Sequence, residues 1–210
     1  MSTKDSRVRV RLSPEQRATE ILRAAVQIAR DEGLGALSVR SVATGAGIAA
    51  GLVTHYFSLD ELVAKTYATI ASEEYAETAN ALAALSNPVE KLDTVLGASP
   101  EAEYAASAFV WVESWAVARR NPQLRIELRE QSERWHRLLS DLIEQGMRAG
   151  DFTVEDSSEA AWQLLALIDG TNAHAAMREI DDPLTAHILR RSAAAMLGQA
   201  RPAEGLGDHH

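Results

Sequence analysis

The chain has 210 residues and no cysteine, which excludes disulfides, thiolate metal sites and cysteine nucleophiles. No apolar run approaches the roughly 20 residues that a membrane-spanning helix requires, so we expect a cytoplasmic protein without a membrane partner. The net charge of -9 argues against nucleic-acid binding, but its distribution does not. Residues 1–57 contain eight Lys and Arg against five Asp and Glu, net +3, whereas the remainder contains 13 against 25, net -12. A basic surface beside an acidic body suits phosphate binding in one orientation, although charge varies along any chain.

Capping residues and glycines predict an all-α chain. Five of the six prolines follow Ser, Asn or Asp, as at Ser13-Pro14 and Asn121-Pro122, and proline is well tolerated at the first helical position. Glycines 33, 97, 150 and 198 suit helix ends. The resulting nine predicted helices are 14–32, 38–45, 49–56, 59–84, 88–96, 100–119, 122–148, 156–178 and 183–197. We divide the chain into a flexible basic arm (1–13), a helix-turn-helix domain (14–57), a larger helical bundle (58–198) and a disordered tail (199–210).

The second and third predicted helices form a helix-turn-helix. Ser38 is placed to cap the second helix, and Gly47 lies at the turn, where a positive φ is needed. The third helix is too short to be stable alone, so packing must hold it. Its outward positions are Ala50, Gly51, Thr54 and His55, of which Gly51 permits close approach of DNA.

The segment V-R-S-V-A-T-G-A-G-I-A-A-G-L-V-T-H-Y-F (39–57) closely resembles the DNA-binding signature of the tetracycline-repressor (TetR) family. The helix count and spacing beyond it are similar to the family's BetI-type branch. The resemblance implies a homodimeric regulator in which helices four to seven surround an effector pocket and the last two form a four-helix dimer bundle. It assigns the DNA-facing positions to Ser38, Arg40, Ala49, Ala50, Gly51, Thr54, His55 and Tyr56. Capping and phosphate contact are implied for Ser38 and Tyr56, and base contact for Arg40, Thr54 and His55.

The chain departs from the family pattern at three places. Ala50 and Thr54 stand where many members carry a basic and an aromatic residue, and the usual lysine before helix four is absent, with Leu59 nearest. These departures remove strong groove contacts. The basic arm, with Arg7, Arg9 and Arg11, compensates by entering a minor groove or sitting on phosphates, or else it remains a solvated tail.

Aromatic residues of the sixth helix predict a ligand pocket. One helical face carries Tyr104, Ala108, Trp111, Val112 and Trp115. An aromatic pocket for a small organic effector and an ordinary core are both compatible with this stripe. Glu113 and Arg119 are expected to face water or each other's neighbours.

The last two helices carry apolar faces that suit a two-fold bundle. Residues 159–175 are apolar over much of the helix circumference, and Gly170 permits close helix approach. Burial within one monomer is the alternative. A dimer would set two recognition helices one or more DNA turns apart and predicts a roughly palindromic operator.

No catalytic or metal-binding pattern is evident, so we expect neither an enzyme nor a cofactor. The expected function is that of a one-component repressor that a small organic effector releases from DNA. Activation of transcription is the alternative mode of regulation. A helical carrier or scaffold without DNA binding is the alternative.

Overall fold

A computed structural model describes residues 12–96, 102–178 and 183–199, with the backbone alone for 102–108, 175–178 and 183–186. The described residues form helices and no strands. The helices are α1 (Pro14–Glu32), α2 (Val39–Gly45), α3 (Ala50–Tyr56), α4 (Leu59–Ala83), α5 (Pro88–Leu96), α6 (Ala102–Ala118), α7 (Pro122–Ala149), α8 (Ser157–Arg178) and α9 (Pro183–Met196). The all-α prediction is therefore confirmed. A short 3-10 turn, Leu34–Ala36, was not predicted.

Local side-chain caps explain where the helices begin and end. The Ser13 hydroxyl accepts from the backbone N–H of Gln16, and the Asn121 side chain accepts from that of Leu124. Each bond satisfies an N–H that has no partner within its helix. Gly33 and Gly150 end α1 and α7 with φ of 87° and 81°, a region that glycine adopts without a steric penalty.

The N-terminal helices share one apolar core with the body. Ile21, Val42 and Val53 are fully buried, and the same cluster continues into Leu62 of α4 and Leu124 of α7. The apolar core therefore continues across residues 57–58, the predicted boundary between the two domains. A displacement of α4 would therefore alter its packing against α1, which in turn packs against α2.

A second core lies among α5, α7, α8, α9 and the end of α4, where Leu82 belongs to it. The Phe152 ring lies against Gly146 of α7 so closely that a Cβ there would collide with it. The next residue, Thr153, donates its N–H to the carbonyl of Leu197 at 2.8 Å. The loop between α7 and α8 is thereby attached to the end of α9.

None of the described helices combines the length and apolar character needed to cross a bilayer. The predicted arm (1–13, except residues 12 and 13) and tail (except residue 199) lie outside the described residues, as do Arg7, Arg9 and Arg11.

Candidate functional site

The α2–α3 hairpin is closed by hydrogen bonds at both ends of α2. Ser38 and Ser41 form a reciprocal cap, each hydroxyl accepting the other's backbone N–H, at 3.0 and 2.9 Å. At the turn, Gly47 has φ 64°, and the N–H of Ile48 donates to the carbonyl of Ala43 at 3.0 Å. The cap and the turn fix the direction in which α3 leaves α2.

Helix α3 is held by its inner face and is open on its outer face. Val53 is fully buried. Burial of a valine contributes about 1.5–3 kcal/mol, which stabilises a helix too short to persist alone. On the outer face, a Cβ added to Gly51 would meet no atom within 4 Å. The small size of Gly51 is therefore not required by packing within the chain.

Most of the predicted DNA-facing side chains are exposed. The exposed ones are Arg40, Ala49, Ala50, Gly51, Thr54 and His55. Ser38 and Tyr56 are half-buried. The His55 ring meets the Tyr56 ring edge-on, 5.2 Å between centroids, so the half-buried tyrosine limits where the imidazole can lie.

A carboxylate of α6 connects the helical body to residues 14–57, the helix-turn-helix domain, which is called the hairpin domain below. Glu113 Oε2 accepts the backbone N–H of Leu34 at 2.6 Å, and a Cβ at Gly33 would collide with the same carboxylate. The expectation that Glu113 faces water is therefore wrong, because the 3-10 turn presents an N–H that needs an acceptor. Arg30 of α1 and Glu73 of α4 form a second connection, an exposed ion pair of 2.7 Å.

A cavity lies between α4, α5, α6, α7 and α8. It encloses about 40 Å³, enough for a few water molecules. Its described lining residues are Glu74, Thr78, Val95, Trp111, Trp135, Leu165, Ile168, Asp169 and Asn172. Two tyrosine rings pack against the tryptophans in T-shaped contacts, Tyr67 with Trp111 at 5.7 Å and Tyr75 with Trp135 at 5.4 Å between centroids.

Two carboxyl groups that line this cavity have raised pKa values. Burial raises the pKa of Glu74 from 4.5 to about 7, with added repulsion from Glu77 and Asp169. Burial raises the pKa of Asp169 from 3.8 to about 6. Burial and the nearby carboxylates also raise the pKa of the Tyr67 hydroxyl. Such shifts concentrate at functional sites, because a purely structural core rarely retains buried carboxyl groups.

The predicted pocket residues of α6 do not all meet at this cavity. Trp111 lines it, and Val112 is half-buried. Trp115 is 48% exposed and is not among the described lining residues, so the expectation that it shares this pocket is not supported. The side chains of Tyr104 and Ala108 lie outside the described part of the structure.

Sequence reasoning missed Glu74 and Asp169. Asp169 gave a signal, since it is the one acidic residue in the largely apolar segment 160–175. Glu74 gave none, because its neighbour Glu73 makes the pair look like an ordinary solvated face. Their proximity depends on how α4 and α8 pack.

Helices α8 and α9 leave large apolar side chains uncovered. Trp162 of α8 is 47% exposed and stacks on His136 at 4.4 Å, and Ile188 of α9 is 50% exposed. A Cβ at Gly170 would meet no atom within 4 Å.

The capped hairpin with an open second helix, attached to a helical body with its own cavity, defines a one-component helix-turn-helix regulator. Comparison with known proteins agrees. The profile of bacterial regulatory proteins of the tetR family matches residues 21–59, and that of the BetI-type transcriptional repressor C-terminal region matches residues 88–199. The HTH-type transcriptional regulator BetI of Escherichia coli (strain SE11) is 30% identical over 182 residues, 83% of this chain and 90% of its own.

Solved structures show the same fold. A transcriptional regulator from Saccharomonospora viridis in complex with choline has a TM-score of 0.74 at 18% identity, over 88% of this chain and 96% of its own. A TetR-family regulator from Agrobacterium tumefaciens has a TM-score of 0.72 at 20% identity, over 90% and 100%. The present chain belongs to the TetR family of bacterial transcriptional regulators, with a BetI-type C-terminal region. It is a DNA-binding, ligand-modulated regulator and not an enzyme, as the sequence predicted.

Proposed function

We propose that the protein is a repressor that binds a pseudo-palindromic operator as a homodimer and is released by a small organic effector. Residues 14–57 would act as the DNA-binding unit and 58–198 as the effector and dimerisation unit, in the cytoplasm. The observation that carries the proposal is the open face of α3 around Gly51, whose lack of a side chain serves no packing purpose inside the chain.

The exposed residues of the hairpin suit distinct contacts with a duplex. Arg40, Thr54 and His55 are exposed donors, or donors and acceptors, that could reach base edges. The Ser38 and Tyr56 hydroxyls suit phosphates, which set the register without reading sequence. Ala49, Ala50 and Gly51 would let the backbone of α3 approach the groove.

A second copy of the chain would cover the exposed face of α8 and α9. Trp162 and Ile188 are large apolar residues left half open to solvent, and Gly170 permits close helix approach. An isologous contact of this kind places the same patch of each subunit against its mate. Two recognition helices at a fixed separation would then read a palindromic sequence.

Effector control would pass through α4 and α6. Both helices line the cavity and both contact the hairpin domain, α4 through the shared core and α6 through Glu113. An effector that favours a different position of either helix would change the separation of the two hairpins. Tenfold tighter binding to one state supplies about 1.4 kcal/mol of coupling.

Selection of DNA fragments by the purified protein, followed by gel shift on the selected site, tests this function. We expect salt-sensitive, sequence-selective retention. Replacement of Thr54 and His55 together by Ala should weaken it at least about tenfold, since each good base contact contributes about 1–3 kcal/mol. The matched control is replacement of Thr19 and Gln27, exposed on α1. A carrier or scaffold would show no selective retention, and that result would refute the proposal.

A further inference from the structure

We propose that the cavity between α4 and α8 recognises a protonated primary or secondary aliphatic amine, held by the carboxylates of Glu74 and Asp169 and by the indoles of Trp111 and Trp135. The inference rests on the proposed function of this cavity as the effector site, and it specifies the chemistry of the effector.

The cavity walls suit an alkyl group that carries a positive charge. Val95, Leu165 and Ile168 offer apolar surface, and Trp111 and Trp135 offer aromatic rings to a cation. The tyrosine edges against both indoles restrict how the rings can turn. A neutral apolar ligand would use these walls and leave Glu74 Oε2 without a hydrogen-bond partner.

Neither carboxyl group has a cation paired with it among the described residues. None of the ion pairs of the described residues involves Glu74 or Asp169. Arg134, an arginine of α7 next to Trp135, instead lies over the Tyr75 ring at 4.2 Å and donates toward Ser72 and Gln131. A ligand cation would supply the missing charge.

A buried acceptor identifies the kind of cation. Glu74 Oε2 is buried and has no hydrogen-bond partner, and an ionised carboxylate can only accept. The Tyr67 hydroxyl, 1% exposed beside the same carboxylates, is also without a partner. An N–H donor would satisfy these atoms. A quaternary ammonium group has no N–H and would leave Oε2 unsatisfied.

Binding of a cation should release a proton near neutral pH. The pKa of Glu74 is about 7, raised by burial, by Glu77 on α4 and by Asp169 on α8. From α7, Glu127 contributes negative charge near Tyr67, while the described lining residues of α5 and α6, Val95 and Trp111, contribute none. At pH 6 about a tenth of Glu74 is ionised and at pH 8 about nine-tenths, so affinity should rise about ninefold over this interval.

The ligand must enlarge the cavity to enter. A free space of about 40 Å³ is smaller than a four-carbon amine, so lining side chains have to move, and the indoles of Trp111 and Trp135 are the largest of them. Trp111 lies two residues from Glu113, which holds Leu34 of the hairpin domain. Amine binding would therefore alter the contact between Glu113 of α6 and Leu34.

Calorimetric titration of the full chain, without DNA, tests the proposal with three probes of equal chain length: n-butylamine, butyltrimethylammonium and 1-butanol. We expect n-butylamine to bind at least tenfold more tightly than the other two, more tightly at pH 8 than at pH 6, with a quench of tryptophan fluorescence. Equal affinity for the quaternary probe would overturn the N–H donor argument, and equal affinity for butanol would overturn the charge argument.

Variants separate the site from the fold. Glu74→Gln keeps the shape and removes a buried charge, so it should fold and should lose butylamine affinity at least tenfold together with most of its pH dependence. Asp169→Asn should lose affinity as well. Glu133→Gln, on an exposed position of α7, is the matched control and should bind normally. Unchanged binding by Glu74→Gln would refute the site. DNA retention by the ligand-free protein is measured separately, so a failed amine site leaves operator binding intact, whereas failed operator binding refutes the regulator itself.

Discussion

At the level of single residues, Gly51 and Gly47 illustrate two different uses of glycine in the hairpin. Gly47 has φ 64°, a conformation that other residues adopt at a cost, so the turn itself requires it. Gly51 lies within α3, where glycine is less favourable than alanine by as much as about 1 kcal/mol. No neighbouring atom demands its small size, which agrees with the proposed close approach of DNA at this position.

Gly51→Leu should therefore leave thermal stability unchanged or slightly raised while operator affinity falls at least tenfold. The new side chain would project into open space in the free protein and into the groove in the complex. Thermal melts and gel shifts measure the two effects, with Gln27→Leu on the exposed face of α1 as the control. A Gly51→Leu protein that keeps full DNA affinity would show that α3 does not approach DNA at this point.

Glu74 should make stability depend on pH in the direction opposite to that of a salt-bridged carboxylate. Its folded pKa of about 7 exceeds the ordinary 4.5, so the folded state binds more protons between these values and stability falls as pH rises from about 4.5 to 7. The loss is on the order of 3 kcal/mol. Chemical denaturation at pH 5 and pH 8 measures it. Glu74→Gln should lessen the difference, and Glu133→Gln should not.

At the level of elements, α6 is the helix that connects the cavity with the hairpin domain. Trp111 lines the cavity, and Glu113, two residues along, accepts the N–H of Leu34. Two residues that are two positions apart on a helix point to roughly opposite sides, so one helix can make both contacts. The main connection from body to hairpin therefore includes α6 as well as the covalently attached α4.

Glu113→Ala should lower the free energy of unfolding by about 1–3 kcal/mol, because it leaves the partly buried N–H of Leu34 without an acceptor. Amide hydrogen exchange at residues 34–37 should accelerate. Glu113→Gln retains an acceptor oxygen and should show smaller effects on both measurements. Slow exchange in Glu113→Ala would mean that the 3-10 turn is held by its own backbone bonds.

At the level of the whole molecule, the proposed dimer makes DNA affinity depend on a surface that never touches DNA. The double variant Trp162→Arg, Ile188→Arg should sediment as a monomer. Its operator affinity should fall at least a hundredfold, because the contact of one subunit with one half-site is weak. Ile126→Arg, at an exposed apolar position of α7, is the control and should remain dimeric. A monomeric wild-type protein with full operator affinity would refute the proposed assembly.

The sequence predicted the features that depend on residues a few positions apart. The caps at Ser13, Ser38 and Asn121 each act within three residues, so they can be read directly from the chain. The Glu113–Leu34 bond spans 79 residues, and the cavity joins Glu74 to Asp169. These contacts depend on helix packing. An apolar pattern shows which face of a helix is buried, but not which other helix it packs against.

The contact of Phe152 with Gly146 has a consequence at the far end of the molecule. This ring packs against α7, and the bond from Thr153 to Leu197 holds the end of α9 beside it. If α9 forms half of the subunit contact, a bulkier residue at position 146 would tilt one subunit against its mate. The preferred number of base pairs between half-sites would then change, so operator spacing could be retuned from the end of the protein most distant from the double helix.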